Sequence, residues 1–357
     1  MPAMSLIEGI WRGEGTLLLT TRRLLTPLSI LYRLGISGRN ALYDAGILRS
    51  VTPVIPAISV GNLSVGGTGK TPVSSWIASR LRDRGAHPAI VLRGYGDDEP
   101  LVHRRLQPDV PVIASPNRVD GIERAALQGA DLVVLDDAFQ HRRVRRVADV
   151  VLISADQWTG SALPLPAGPW REPLSALKRA TLIVITRKAV TDAACDSTRS
   201  AIHDSAPGLP IAILSLELGE IQRVDSSSPA DVSELRGTSV LAIAAVADPR
   251  AFALQLERAG ASVRSASYPD HHPFDRAEAE RLAASLRENE RAICTLKDAV
   301  KLAPLWPRAA SPLWYVSQRV IPGDGVEYLD AIFDAALNAR TTQRPSPIGP
   351  AESRHGD

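Results

Sequence analysis

Apolar residues in this chain gather in short, branched, uncharged runs: Ala57 to Val60, Ala89 to Leu92, Leu132 to Leu135, Val150 to Ile153, Leu182 to Ile185 and Ile211 to Leu214. Between them lie stretches with helical spacing, such as Val73, Ile77, Ala78 and Leu81. Strands of a parallel sheet read this way, because helices cover both faces and no polar alternation survives. The pattern predicts a doubly wound α/β core with a mostly parallel sheet. After a polar segment from Asp225 to Pro229, Val240 to Val246, Ala292 to Thr295 and Trp314 to Val316 predict strands of a second, smaller α/β domain. We divide the chain into a core domain over 41–216 and the smaller domain over 217–335.

Two flanking regions read differently. In residues 1–40, Leu17, Leu18, Leu19, Leu24, Leu25, Leu28, Ile30, Leu31 and Tyr32 alternate with Arg12, Arg22, Arg23 and Arg33. No uncharged apolar run reaches membrane-spanning length, and no small-residue cleavage site completes a signal-peptide pattern. This spacing predicts an amphipathic surface helix, lying either in the interface of an anionic membrane or against its own domain. Residues 336–357 form a tail that becomes rich in Pro, Ser, Arg and Gly from Arg340 onward, and it is expected to be disordered.

Composition changes this picture little. A chain of 357 residues with 45% hydrophobic content and a net charge of +2 is ordinary for a soluble globular enzyme. The balance does not point to nucleic acid, despite the local cluster of Arg142, Arg143, Arg145 and Arg146. Cys195 and Cys294 are too few for a disulfide framework or a thiolate metal site, which makes a reducing cytoplasmic compartment the default. Nothing in the sequence marks an obligate protein partner.

Candidate chemistry starts in the loop after the first strand, where Val60 to Pro72 read V-G-N-L-S-V-G-G-T-G-K-T-P. Glycines there let successive N–H groups turn around a polyphosphate, Lys70 can reach the β- and γ-phosphates, and the Thr71 hydroxyl can ligate Mg²⁺. The nucleotide-binding set is Ser64, Val65, Gly66, Gly67, Thr68, Gly69, Lys70 and Thr71. Ser64 departs from the general pattern, which has glycine at that position. Pro72 suits the first helical position, where a missing N–H costs nothing.

Acidic groups follow at strand ends. Leu132 to Leu135 lead into Asp136 and Asp137, where a P-loop protein needs carboxylates to organise Mg²⁺. Gln140 and His141 come next and are candidates for phosphate or substrate contact. Asp97, Asp98 and Glu99 follow Arg93-Gly94-Tyr95-Gly96 in a loop leaving the strand at Leu92, and a carboxylate there can accept the proton of an attacking hydroxyl. The Pro- and Gly-dense run from Pro164 to Pro173 presents Trp170, Arg171 and Glu172 on a constrained backbone. Asp270-His271-His272 suggests either an Asp–His pair that orients a proton carrier or a metal site.

Taken in order, these blocks resemble the tetraacyldisaccharide 4'-kinase family, over roughly Leu31 to Leu329. The resemblance rests on Leu42-Tyr43-Asp44, Val60 to Pro72, Arg93 to Gly96, Asp98-Glu99-Pro100, Asp136-Asp137 with Gln140-His141, Leu165 to Glu172, Asp270-His271 and Thr295 to Lys301. Ser64 is ordinary for that family. The resemblance implies transfer of the γ-phosphoryl group of ATP, with Mg²⁺, to the 4'-hydroxyl of a lipid A disaccharide-1-phosphate precursor by a peripheral protein on the cytoplasmic face of the inner membrane. It implies that Asp98 is the catalytic carboxylate, that His271 assists it and that Lys70 stabilises charge on the transferred group. Thr71, Asp136 and Asp137 would organise the metal, with Gln140, Arg171 and Glu172 near nucleotide and substrate. The residues 1–40 match the family's membrane-contacting helix. Two positions differ from the family: one residue separates Gly96 from Asp98 where a longer excursion is usual, and Ala138 replaces a glycine.

Other readings fit less well. Two-metal phosphoesterases with an Asp-His-His string need further aspartates and lack a P-loop. A membrane-associated switch ATPase of the partitioning type carries a lysine early in its loop, where this chain has Val65. A guanine-reading motif at Thr295-Leu296-Lys297-Asp298 would have its lysine one place late.

Overall fold

The computed structural model describes residues 7, 9–11, 15–94, 98–160, 162–226 and 228–343. Arg12, Asp97 and the tail beyond 343 lie outside them. A single twelve-stranded sheet runs through the molecule. Its first half is built from β1 (Ala57–Asn62), β2 (Pro88–Leu92), β3 (Val112–Ala114), β4 (Leu132–Asp136), β5 (Ala148–Ser154), β6 (Leu182–Arg187) and β7 (Ile211–Arg223). These lie parallel in the order β3-β2-β4-β1-β5-β6-β7. Every residue of β1, β2 and β4 is buried, which is why the sequence shows unbroken apolar runs there.

The second half contains β8 (Pro229–Ala230), β9 (Ser239–Ala244), β10 (Ser262–Ser267), β11 (Glu290–Thr295) and β12 (Leu313–Pro322). It joins the first half through β12, which pairs antiparallel with β7. The 13-residue β7 therefore belongs to both halves, and residue 217 falls within it. The polar stretch beginning at Asp225 turns the chain into β8, which pairs back on β7. Among the described strands, the two-residue β8 was not foreseen, and neither were β3 and β10. The former has only three residues, and the latter reads S-V-R-S-A-S at the sheet's edge, where little of it is buried.

Helices cover the sheet. α1 (Thr16–Asp44) precedes β1, and α2 (Lys70–Asp83) starts directly from the glycine-rich loop. The residues predicted from spacing, Val73, Ile77, Ala78 and Leu81, are all fully buried on α2. They share a core with Leu329, Ile332, Phe333 and Ala336 of the last helix, Val326–Gln343, so the C-terminal helix returns to pack on the first half. α3 (Asp98–Leu106) works in the opposite direction, with Val102 packing into a cluster with Leu296, Ala299 and Tyr315 of the second half. These two exchanges fix the halves against each other around the C-terminal ends of β1, β2, β4 and β6.

α1 lies along the first half. Its turned-in positions Ser29, Tyr32, Arg39 and Asn40 bond to the segments that carry Ala167, Arg171, Gln140 and Glu172. Leu17, Leu24, Leu28, Leu31 and Leu34 remain 52–77% exposed. Pro27 sits inside this helix on its exposed side, where water can satisfy the carbonyl that loses its N–H donor. No helix among the described residues is long and apolar enough to cross a membrane.

Candidate active site

The loop between β1 and α2 forms the floor of a cleft that is open to solvent. Gly66 and Gly69 adopt positive φ of 127° and 83°, which side-chain-bearing residues rarely accept. At Gly66 a Cβ would also lie 2.8 Å from Gln157 Oε1, and at Gly69 it would collide with Leu216. Thr68 fixes the loop from within. Its hydroxyl accepts from Asn62 Nδ2 at 2.9 Å, and its carbonyl accepts from the Thr186 hydroxyl at 2.9 Å. Ser64 and Val65 pair with the Pro-rich loop through a bridge to Trp170 and a 2.7 Å bond from Val65 N to the Pro169 carbonyl.

Lys70 and the paired aspartates meet at this floor. Lys70 Nζ lies 3.7 Å from Asp137 Oδ1, and Arg171 Nη1 donates to both Asp137 oxygens at 3.1 and 3.0 Å. Burial pushes the Asp137 carboxyl up, but the Lys70 and Arg171 charges outweigh it and hold the group below the ordinary carboxylate range. Asp137 itself has φ 50°, an unusual conformation for a residue with a side chain. Asp136 is buried, and it accepts from Ser74 Oγ at 3.0 Å and pairs with His103 Nε2 at 2.8 Å.

The second half contributes the other wall. His271 Nδ1 stands 3.4 Å from Asp98 Oδ2, a distance that is ionic and too long for a well-formed hydrogen bond. Asp98 Oδ2 is buried with no hydrogen-bond partner, while Oδ1 accepts from Glu99 N at 3.1 Å. Burial alone would raise the Asp98 carboxyl, but His271 and the charges of Lys297 and Lys301 prevail and hold it below the ordinary range. A buried, ionised carboxylate with an unused oxygen is suited to take a proton. Glu99, which lines the cleft, is pushed up by burial and by Asp136.

The fold thus brings Gly66 to Thr71, Asp98, Asp136, Asp137 and His271 to one region. Of these, Gly66 to Thr71 and His271 line the cleft, whereas Asp98, Asp136 and Asp137 lie beside its lining, as do Gln140, Arg171 and Glu172. Gln140 Nε2 donates to the Asn62 carbonyl at 2.7 Å, and Glu172 is enclosed between Asn40 at 2.7 Å and Arg179 at 2.9 Å. His272 faces away, toward Glu278 at 2.9 Å, so the Asp270-His271-His272 string does not converge on one point. No group of three or more metal-binding side chains occurs among the described residues. A hydroxyl from Thr71 and carboxylates from Asp136 and Asp137 fit Mg²⁺, which keeps several waters and takes phosphate oxygens as its remaining ligands.

Sequence reasoning missed four residues here. His103 is fully buried between Asp136 and the Ser75 hydroxyl at 2.8 Å; five places after Asp98 on a helix, it carried no motif. Arg118, at the start of the helix Arg118–Leu127, is buried and donates to the Ser115 carbonyl at 2.8 Å beside Asp136. Lys188 follows β6 and reaches the Gly67 carbonyl at 3.1 Å. Lys297 lies inside the Thr295 to Lys301 block and had no role assigned.

The chain is similar to known proteins over most of its length. Residues 21–338 match the family model described as tetraacyldisaccharide-1-P 4'-kinase. A tetraacyldisaccharide 4'-kinase of Anaeromyxobacter sp. (strain K) is 36% identical over 389 residues, covering 97% of this chain and 100% of the relative. Another from Halorhodospira halophila (strain DSM 244 / SL1) is 34% identical over 337 residues, covering 89% and 93%. The crystal structure of "apo" form LpxK from Aquifex aeolicus in complex with ATP matches with a TM-score of 0.68 and 27% identity, over 88% of this chain and 99% of that one.

Proposed function

The chain belongs to the tetraacyldisaccharide-1-P 4'-kinase family, and from that premise we propose how its residues divide the work. The protein is an ATP-dependent kinase that phosphorylates the 4'-hydroxyl of tetraacyldisaccharide 1-phosphate in lipid A biosynthesis. In our reading the Gly66 to Thr71 loop holds the β- and γ-phosphates with its backbone N–H groups, and Lys70 turns from Asp137 to the γ-phosphate when ATP enters. Thr71, with Asp136 or Asp137, would hold Mg²⁺, which neutralises charge on the β- and γ-phosphate oxygens. Ser74 and His103 orient Asp136, while Arg171 restrains Asp137.

Asp98 takes the proton of the acceptor hydroxyl. As the hydroxyl oxygen bonds to the γ-phosphorus, the bond to the β–γ bridging oxygen breaks and its electrons leave with ADP. The observation that carries this assignment is the unpartnered, buried Oδ2 of Asp98, held ionised opposite His271 and beside the P-loop cleft. Gln140 and Glu172 support the site from behind by fixing Asn62 and Asn40. We also infer that α1 docks on the anionic cytoplasmic face of the inner membrane, because its outward side is a stripe of exposed leucines interleaved with Arg23 and Arg33.

Asp98→Asn tests the assignment, since it keeps shape and removes the base. Steady-state kinetics with ATP and the disaccharide lipid should show turnover reduced by about 10²- to 10⁴-fold with ATP affinity retained. Turnover equal to that of the unaltered enzyme would remove Asp98 from this role.

A further inference from the structure

Lys297 lies in the first turn of the short helix Leu296–Leu302 and makes two contacts with the Asp270–His271 pair. Its Nζ is 2.8 Å from Asp270 Oδ1 and 3.0 Å from His271 Nε2. An ammonium group has three donors and no lone pair. His271 Nε2 must therefore accept, and an imidazole that accepts at Nε2 carries its proton on Nδ1. Nδ1 is the atom that faces Asp98 Oδ2 at 3.4 Å.

Asp270 anchors both members of the pair. The Oδ1 that accepts from Lys297 also accepts from the His271 backbone N–H at 3.0 Å, and His271 is held there at a φ of 61°. A residue with a side chain persists in that conformation only when its surroundings over-determine it, which is common at functional sites. Here the ring, the lysine and the carboxylate form one unit that faces Asp98.

We propose that Lys297 is a positioning residue that fixes His271 in the Nδ1–H tautomer and so reserves proton acceptance for Asp98. This rests on the kinase reading above. With Nδ1 protonated and Nε2 occupied, the ring has no lone pair to offer an acceptor hydroxyl; it can only donate toward Asp98. The hydroxyl proton goes to Asp98 Oδ2 and the His271 proton stays in place. The charged groups around the pair set opposing preferences. Asp98, with Asp270, favours a second proton on His271 and raises its pKa above the ordinary histidine value, whereas burial and Lys297 oppose that rise. Lys301 acts on Asp98, and Glu99 lies on the same side of the cleft. A proton on Nε2 would point straight at the Lys297 ammonium.

The tautomer is directly observable. Protein labelled with ¹⁵N at the histidine rings, studied near neutral pH without nucleotide, gives two-bond ¹⁵N–¹H correlation spectra in which His271 is assigned by its loss in His271→Gln. We expect Nδ1 to be the protonated nitrogen and Nε2 to carry the lone pair. Lys297→Met should shift the ring toward the Nε2–H or doubly protonated form and lower turnover by about 10- to 100-fold, with KM for ATP little changed. Lys297→Arg, which keeps a cationic donor, should recover part of both signals. A proton on Nε2 or on both nitrogens in the unaltered enzyme overturns the proposal, and so does an unchanged tautomer in Lys297→Met. The unaltered enzyme's spectrum decides the matter even if a variant folds poorly. Failure of the kinase reading would show separately, as absence of lipid phosphorylation whatever the tautomer.

Discussion

Asp136 and Asp137 are neighbours in sequence and differ in what surrounds them. Asp136 ends a buried strand, and both of its oxygens are taken by Ser74 and His103. Asp137 follows at positive φ and faces the charges of Lys70 and Arg171. The paired carboxylates were legible because a strand ending in two acids after a P-loop has few other uses, whereas the groups that orient them come from distant segments. His141, close by, shows how such surroundings change a titration. Burial, reinforced by Arg118, Arg146, Arg143 and Arg39, lowers its pKa from 6.5 to about 4. Between those values the unfolded chain binds a proton that the folded chain does not. Stability from this residue is therefore complete above 6.5 and is lost as pH falls toward 4. Urea denaturation at pH 7.5 and at pH 4.5 should show a smaller loss of stability for His141→Gln than for the unaltered protein. An equal loss in both would mean that His141 titrates normally.

At the scale of elements, α1 has two chemically different sides. One side bonds to the loops behind the active site through Ser29, Tyr32, Arg39 and Asn40, while the other exposes leucines. Its 29 residues span about 43 Å at the rise of an α-helix, long enough to lie across most of one face. The helix packs on its own domain with one side, and the membrane contact we propose belongs to the other. Leu24→Glu, Leu28→Glu and Leu31→Glu together should abolish most co-sedimentation with anionic vesicles while leaving the thermal unfolding midpoint nearly unchanged, because these side chains are at least half exposed. Undiminished vesicle binding would assign the membrane contact elsewhere. Strands were read correctly wherever helices bury both faces. They were missed where the element is three residues long, as at Val112–Ala114, or lies polar at an edge, as at Ser262–Ser267, because neither offers an apolar run.

Over the whole molecule, the active site depends on a single sheet shared by two halves. The P-loop, Asp98 and the paired aspartates come from the first, and Asp270, His271 and Lys297 from the second. Val102 and the C-terminal helix lock the halves by packing each on the other's core. The sequence could indicate most strands but not the register in which β12 pairs with β7 and joins the halves. The central claim is that this assembly moves phosphate from ATP to a lipid hydroxyl. Purified protein incubated with γ-labelled ATP, Mg²⁺ and the tetraacyldisaccharide 1-phosphate lipid tests it most directly. Label should appear on the 4'-oxygen of the lipid and be lost in Lys70→Ala. ATP hydrolysis with no labelled lipid would contradict it and favour a switch ATPase.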